Sequence, residues 1–115
     1  MSSIPSDPLP WELNCQQLQE RLDSLEELLL VDCREPVEHQ FCRIEPSQLI
    51  PMGDTPGQLD KLRQDPGRPI VIYCHHGIRS LQVVQYLRQQ GIDAQSLAGG
   101  IDAWSQEIDP QVPRY

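Results

Sequence analysis

The sequence lacks the long apolar run that a membrane-spanning helix requires. No stretch of its 115 residues approaches the roughly 20 consecutive apolar residues of a typical span. The beginning of the chain has neither the basic region nor the apolar region of a secretory signal. We therefore expect no membrane association and a cytoplasmic location.

Positive charge is also scarce. The chain has 9 Lys and Arg residues against 17 Asp and Glu residues, a formal net charge of −8. Non-specific nucleic-acid binding relies on clustered positive charge, so we expect no nucleic-acid partner. Hydrophobic residues make up 38% of the chain, which is typical of a globular protein. We expect residues 1–115 to form a single domain with proline-rich extended ends at 1–10 and 109–115.

Cysteine is present in an even number, but the setting that favours disulfides is absent. The four thiols belong to Cys15, Cys33, Cys42 and Cys74. A chain without a secretory signal, and long enough to bury a core, is expected in a reducing compartment. At least one of these thiols is therefore a candidate for chemistry.

Short apolar runs alternate with helical patterns along the chain. Continuous apolar segments predict buried strands at 28–31 and 70–73, and a weaker one at 94–97. Amphipathic spacing predicts helices between them, and the stretch 43–53 is predicted to be a loop. This alternation predicts an α/β fold with a small, mostly parallel sheet flanked by helices.

Two segments carry capping signals for these helices. Asn14 followed by Gln17 predicts a capping box, and the helix that it starts is expected to continue through Leu25. Thr55 is the second predicted cap, because Pro56 follows at the first helical position; that helix is expected to end at 65–67.

The polar loop after the strand at 70–73 has the composition of a chemical site. Cys74 ends a buried strand, and ligands of α/β folds gather at that end of the strands. The N–H groups of a short loop that enters a helix form a concavity that binds anions. A helix terminus favours a thiolate by about 0.3–1 kcal/mol, and Arg79 would add to this effect. The alternative is that Cys74 is only a buried cysteine at a strand end.

Two further residues of this loop have predicted roles. Gly77 allows a tight turn and a close approach to a ligand. Ser80 is expected either to cap the following helix or to donate a hydrogen bond to a bound anion.

Three segments, taken in order, resemble the signatures of rhodanese-like domains. Residues 30–36, Leu-Val-Asp-Cys-Arg-Glu-Pro, resemble the Asp-x-Arg-Glu segment of that family. Residues 70–74 with the loop that follows resemble its active-site strand and loop. Residues 97–104, Leu-Ala-Gly-Gly-Ile-Asp-Ala-Trp, resemble its Gly-Gly-x-x-x-Trp signature. Residues 107–115 are similar to the ends of rhodanese-like domains fused behind sulfur-carrier-activating adenylating enzymes.

The resemblance implies a rhodanese-type sulfurtransferase without a cofactor or a metal. Cys74 would take a sulfane sulfur from thiosulfate or a protein donor, hold it as a persulfide and pass it to a thiophilic acceptor such as cyanide. Asp32 and Arg34 would support the base of the loop by charge pairing, and Arg79 would help to hold an anionic donor. A sulfur-relay protein is an implied partner. The implied substrate-binding loop consists of His75, His76, Gly77, Ile78, Arg79 and Ser80.

Loop length separates this chemistry from phosphoryl transfer. Cysteine-dependent phosphatases place five residues between cysteine and arginine, whereas here four residues separate Cys74 from Arg79. A smaller loop suits a single terminal sulfur better than a phosphoryl group, so phosphatase and arsenate reductase activities are disfavoured. The remaining alternative is a sulfur-carrier or binding module in a sulfur-relay pathway that does not turn over.

A metal site is also disfavoured. His39 and Cys42 have the spacing of a half-site, and His75 and His76 are nearby candidates. Adjacent residues of a tight loop do not easily point at one ion, and tetrahedral sites prefer spaced pairs.

The other candidates have structural interpretations. Cys33 is interpreted as a core residue, with a resolving thiol as the alternative, while Cys15 and Cys42 are interpreted as structural. Trp104 lies at helical spacing in an apolar face and is expected in the core. The acidic pair at 35 and 38 is interpreted as solvated surface. Such an acidic surface would repel anionic donors, which favours delivery of sulfur by a protein.

Overall fold

A parallel sheet lies at the centre of the computed structural model, which describes residues 9–24, 27–63 and 67–115. Its five strands are β1 (Glu12–Leu13), β2 (Leu29–Asp32), β3 (Gln48–Leu49), β4 (Ile70–Tyr73) and β5 (Gln95–Leu97). They are ordered β1-β5-β4-β2-β3, and every pairing is parallel. The predicted α/β fold with a mostly parallel sheet is confirmed.

Helices connect the strands and cover both faces of the sheet. They are α1 (Cys15–Asp23), α2 (Pro36–Phe41), α3 (Leu59–Arg63), α4 (Ile78–Gln89) and α5 (Gly100–Glu107), with a 3-10 helix at Met52–Gln58. Within the described ranges, none of them combines the length and the apolar character needed to cross a membrane.

The predicted start of α1 is confirmed. Asn14 Oδ1 accepts a hydrogen bond from the N–H of Gln17 at 2.8 Å, and the Gln17 side chain accepts one from the N–H of Asn14 at 2.8 Å. This reciprocal pair satisfies two N–H groups that a helix otherwise leaves without partners. The predicted continuation through Leu25 lies outside the described residues.

Alternating side chains of the central strands build an apolar core on each face of the sheet. One core contains Tyr73 and Trp104, so the predicted core position of the tryptophan is confirmed. The opposite core contains Ile72, Cys33 and Cys74. The two thiols at 33 and 74 therefore share one face of the sheet, whereas Cys15 and Cys42 belong to the core on the other face.

Two predictions between residues 43 and 58 are wrong. The predicted loop contains β3, which pairs with β2 at the edge of the sheet. Thr55 does not cap a helix: the 3-10 helix runs through it, and its buried hydroxyl has no hydrogen-bond partner among the described residues. The predicted helix end at 65–67 lies mostly outside the described residues, and α3 ends at Arg63.

Candidate active site

Cys74 lies directly after the central strand β4, and its side chain is only 1% exposed. Its Sγ accepts hydrogen bonds from the N–H of Gly77 at 3.1 Å and from the N–H of Ser80 at 3.3 Å. Gly77 is the N-cap residue of α4, so both donors belong to the amino-terminal end of that helix. The loop therefore surrounds the sulfur with N–H groups that stabilise negative charge.

The turn that creates this loop requires glycine at position 77. Its φ is 102°, in the left-handed region that residues with a side chain rarely adopt. A Cβ at Gly77 would also lie 3.1 Å from the backbone nitrogen of Gly99. The segment at the start of α5 therefore packs directly against the loop.

The Gly-Gly segment allows α5 to approach the backbone of the loop. Ile101 N–H donates to the carbonyl of Cys74 at 2.9 Å, and Asp102 N–H donates to the carbonyl of His75 at 3.0 Å. A Cβ at Gly100 would lie 2.5 Å from the Cys74 carbonyl oxygen, too close for any side chain. These hydrogen bonds hold Cys74 and His75 against the start of α5.

Cys33 is the immediate neighbour of Cys74. Its N–H donates to the carbonyl of Tyr73 at 3.0 Å, and both thiols are buried in the same core. A hydrogen bond from the Cys33 thiol is the largest cause that lowers the pKa of Cys74 below its ordinary value. Burial opposes this shift, and hydrogen bonds from Ser80 and Gly77 reinforce it. These hydrogen bonds therefore favour the thiolate, which is the nucleophilic form of cysteine.

The same hydrogen bond has the opposite effect on Cys33. It raises the pKa of the Cys33 thiol far above its ordinary value, and burial acts in the same direction. Cys33 therefore keeps its proton and serves as the donor to Cys74. The sequence interpretation of Cys33 as a plain core residue misses this contact, because only strand pairing brings positions 33 and 74 together.

Ser80 lies inside α4 and does not cap it, so that predicted alternative is wrong. Gly77 occupies the N-cap position because the left-handed turn places the start of the helix there. The buried hydroxyl of Ser80 lies 2.7 Å from the hydroxyl of Ser96 on β5 and 3.3 Å from the sulfur of Cys74. Its predicted hydrogen bond to a bound anion stays a prediction.

Arg79 forms a two-point ion pair at the edge of the loop. Its Nη1 and Nη2 donate to the carboxylate of Glu38 at 2.8 and 3.0 Å. Hydrogen bonding by Arg79 is the largest cause that lowers the pKa of Glu38 to about 2. The interpretation of Glu38 as solvated surface is wrong, because α2 places its carboxylate against the loop. No sequence signal links two residues so far apart in the chain.

Asp32 and Arg34 form a second ion pair, and both side chains are fully buried. Arg34 Nε and Nη2 donate to the two carboxylate oxygens at 2.9 and 2.7 Å. Arg34 also donates to the carbonyl of Cys42 at 2.5 Å, and His39 Nδ1 lies 2.8 Å from the Asp32 carboxylate. The hydrogen bonds of this pair therefore connect the end of β2 to the segment 39–42 and to Tyr115. Its predicted support of the loop base stays a prediction.

Tyr115 is a component of the site that the sequence analysis does not identify. Its ring stacks on His75 with centroids 3.8 Å apart and an interplanar angle of 5°. Its hydroxyl donates to Glu38 at 2.7 Å and accepts from Arg34 at 2.7 Å. The last residue of the chain therefore joins both ion pairs and covers one side of the loop.

The remaining loop residues lie at the surface. His76 is exposed and stacks on His75 with centroids 3.9 Å apart, and Ile78 opens α4 with 71% of its surface exposed. The two histidines and Asp102 place ligand atoms within 4.8 Å of one another, contrary to the expectation that adjacent histidines diverge. Arg114 already pairs with Asp102 at 2.9 Å, so a cation at this cluster would compete with it.

The protein therefore belongs to a class of α/β proteins that hold a cysteine sulfur among N–H donors, in a loop between a central parallel strand and a helix. The family model of the Rhodanese-like domain matches residues 14–107. The chain belongs to the rhodanese-like domain family.

Relatives of known name agree with this assignment. The chain is 38% identical over 103 residues to "Probable adenylyltransferase/sulfurtransferase MoeZ" of Mycobacterium tuberculosis, a match that covers 87% of this chain and 26% of that protein. It is 38% identical over 102 residues to "Sulfurtransferase" of Allochromatium vinosum, covering 88% and 94% of the two chains. This chain therefore spans about a quarter of the length of the MoeZ protein.

A solved structure shares the fold. The rhodanese-like domain protein from Staphylococcus aureus superimposes with a TM-score of 0.78 at 29% identity, covering 92% of this chain and 99% of that one. Together with relatives that are named sulfurtransferase, this similarity supports a rhodanese-type sulfurtransferase or a role in sulfur relay.

Proposed function

We propose that this protein is a sulfurtransferase that carries a sulfane sulfur as a persulfide on Cys74. The observation that carries the proposal is the pair of N–H groups, from Gly77 and Ser80, that donate to the Cys74 sulfur. A persulfide adds one sulfur atom that bears the negative charge. The amino-terminal end of α4 supplies N–H groups to stabilise that charge.

The transfer proceeds in two displacement steps. The Cys74 thiolate attacks the outer sulfur of thiosulfate, the S–S bond of thiosulfate breaks, and sulfite leaves with the electron pair. Cyanide then attacks the terminal sulfur of the persulfide, which forms thiocyanate and restores the thiolate. Covalent catalysis of this kind divides one difficult transfer into two easier ones.

The ion pair at the edge of the loop supports sulfur transfer over phosphoryl transfer. A cysteine-dependent phosphatase uses its loop arginine to hold phosphate, whereas Arg79 already shares two hydrogen bonds with Glu38. The loop also has one residue fewer than the phosphatase pattern, as the sequence indicates. Both features favour a small sulfur ligand.

The physiological donor in this proposal is a protein. The net charge of −8 repels small anions, and Glu38 neutralises the cation at the loop. The relative named adenylyltransferase/sulfurtransferase supports a partner in sulfur relay. Four free, buried thiols among the described residues fit the reducing cytoplasm, which we propose as the location.

A second candidate is a sulfur carrier that loads once and does not turn over on small molecules. The burial of Cys74 and the position of Tyr115 over the loop favour it, because both restrict access to the sulfur. The two candidates differ in whether the sulfur bound to Cys74 passes to a small acceptor such as cyanide.

Counting thiocyanate against protein tests the proposal. With thiosulfate and cyanide in excess, we expect each protein molecule to produce many molecules of thiocyanate. The Cys15→Ser variant is the matched control, since Cys15 is equally buried but on the opposite face of the sheet, and it should keep the parent rate. An added sulfur on Cys74 without production of thiocyanate would instead identify the carrier, and no thiocyanate with no bound sulfur would contradict both candidates.

A further inference from the structure

We propose that Cys33 is a second nucleophile of this site, which attacks the sulfur of Cys74 and forms a Cys33–Cys74 disulfide. This inference rests on the proposed function, because the reactive state is the persulfide of Cys74. The inference follows from the position of Cys33 beside Cys74 in this chain.

Strand pairing brings the two residues side by side. β2 and β4 are adjacent parallel strands whose last pair is Asp32 with Tyr73, and Cys33 and Cys74 directly follow that pair. The N–H of Cys33 donates to the carbonyl of Tyr73 at 3.0 Å, so the two chains are still adjacent at this point. Adjacent strands lie about 4.7–4.9 Å apart. Disulfides form between residues whose Cα atoms are about 4.4–6.8 Å apart, so the backbone needs no large movement.

The two side chains also lie on the same side of the sheet. Both are buried in one core, and the interaction between the two thiols lowers the pKa of Cys74. Cys15 and Cys42 lie in the core on the opposite face, separated from Cys74 by the sheet itself. Cys33 is therefore the one cysteine among the described residues that is placed to react with Cys74.

The reaction is balanced without an external oxidant. The Cys33 sulfur attacks Sγ of the Cys74 persulfide, a new Sγ–Sγ bond forms, and the bond from Cys74 Sγ to the terminal sulfur breaks. The terminal sulfur leaves with the electron pair and takes the proton that Cys33 gives up during the attack, which gives the hydrosulfide ion (HS⁻). The sulfane sulfur is reduced and the two cysteine sulfurs are oxidised to the disulfide.

Formation of the disulfide would release the stored sulfur from Cys74 when no acceptor is present. A thiol reductant, either a small thiol or a dithiol protein, restores both cysteines by thiol–disulfide exchange. The same bond protects Cys74 from irreversible oxidation. A sulfenic acid formed on Cys74 by an oxidant such as peroxide condenses with the neighbouring thiol, with loss of water, before it is oxidised further to a sulfinic acid.

The first arm of the test follows the loaded protein over time. The full chain is incubated with thiosulfate, excess donor is removed, and intact mass and released sulfide are measured without an acceptor. We expect the mass to change from one added sulfur atom to a loss of two hydrogen atoms, with release of sulfide. A non-reducing peptide map should then link Cys33 to Cys74.

Variants identify the attacking thiol. We expect the persulfide of Cys33→Ser to persist at least tenfold longer and to give no cross-link, since a hydroxyl keeps the hydrogen bond but cannot form a disulfide. Cys15→Ser should behave as the parent does. A persulfide that decays equally slowly in the parent and in Cys33→Ser overturns the inference, and so does a cross-link between any other pair.

The second arm separates this inference from the proposed function. Hydrogen peroxide converts the unloaded Cys74 thiolate to a sulfenic acid, and Cys33 then forms the disulfide with loss of water. If thiosulfate does not load the protein, the peroxide experiment alone tests whether Cys33 reacts with Cys74. A peroxide-induced link between Cys33 and Cys74 then supports the pair while the proposed function fails, and a sulfinic acid on Cys74 in the parent overturns the pair.

Discussion

The Cys74→Ser variant should lose at least about a thousandfold of the sulfur-transfer rate, the usual scale for removing a covalent nucleophile. Serine fits the same space, but its hydroxyl is not ionised at neutral pH and cannot hold sulfur in a persulfide. The N–H groups of Gly77 and Ser80 remain in place, so the loss reflects the nucleophile itself. The measurement is the initial rate of thiocyanate formation from thiosulfate and cyanide.

The control for this variant is a measurement that its fold and stability are unchanged. The urea midpoint and the circular dichroism spectrum of Cys74→Ser should stay close to those of the parent, because the substitution is nearly isosteric. Cys15→Ser, a buried serine substitution outside the loop, should keep both the rate and the midpoint within a small factor. Undiminished thiocyanate formation by Cys74→Ser would exclude Cys74 as the nucleophile.

The Asp32→Ala variant should lose about 3–5 kcal/mol of the free energy of unfolding, the usual loss when one partner of a buried ion pair is removed. The guanidinium of Arg34 is fully buried and would lose the carboxylate that accepts two of its hydrogen bonds. The same carboxylate accepts from the N–H of Arg34 at 3.0 Å and lies 2.8 Å from His39. Urea unfolding at neutral pH measures the loss.

The chain offers a matched control for this pair. Arg43 and Glu45 are also an arginine and a carboxylate two residues apart, but their side chains are 45% and 70% exposed. Exposed ion pairs contribute less than about 1 kcal/mol, so Glu45→Ala should change the stability little. Equal losses for Asp32→Ala and Glu45→Ala would show that burial of the pair has no special importance.

The parts of the fold that sequence patterns predict are those determined by local interactions. The capping box of Asn14 and Gln17 depends on residues three apart, and it occurs as predicted. The apolar run Ile70–Tyr73 is long enough to indicate a strand buried on both faces, and all four residues are buried. The loop after it follows from the position of Cys74 at the end of that strand.

The elements that the patterns miss are short or depend on distant partners. β1 and β3 have two residues each, too few to show a periodicity, and each forms only because a longer strand lies beside it. Threonine is a common helix cap, but Thr55 lies inside a 3-10 helix that begins at Met52.

In the site, too, the sequence predicts the contacts between residues close together in the chain and misses those between distant residues. Cys74 and its loop are contiguous in the sequence, so their proximity can be predicted. The contacts of Arg79 with Glu38 and of Tyr115 with His75 join residues about 40 apart in the chain. Single-sequence spacing contains no information about such pairs, which is why the role of Arg79 in an ion pair appears only in three dimensions.

The most direct test of sulfur transfer by Cys74 is a peptide map of the protein after brief exposure to thiosulfate. We expect one added sulfur atom on the peptide that contains Cys74, and we expect cyanide to remove it. The same peptide of Cys74→Ser should carry no added sulfur. An added sulfur on Cys15 or Cys42, or a protein that turns over without ever holding sulfur on Cys74, would contradict sulfur transfer by Cys74.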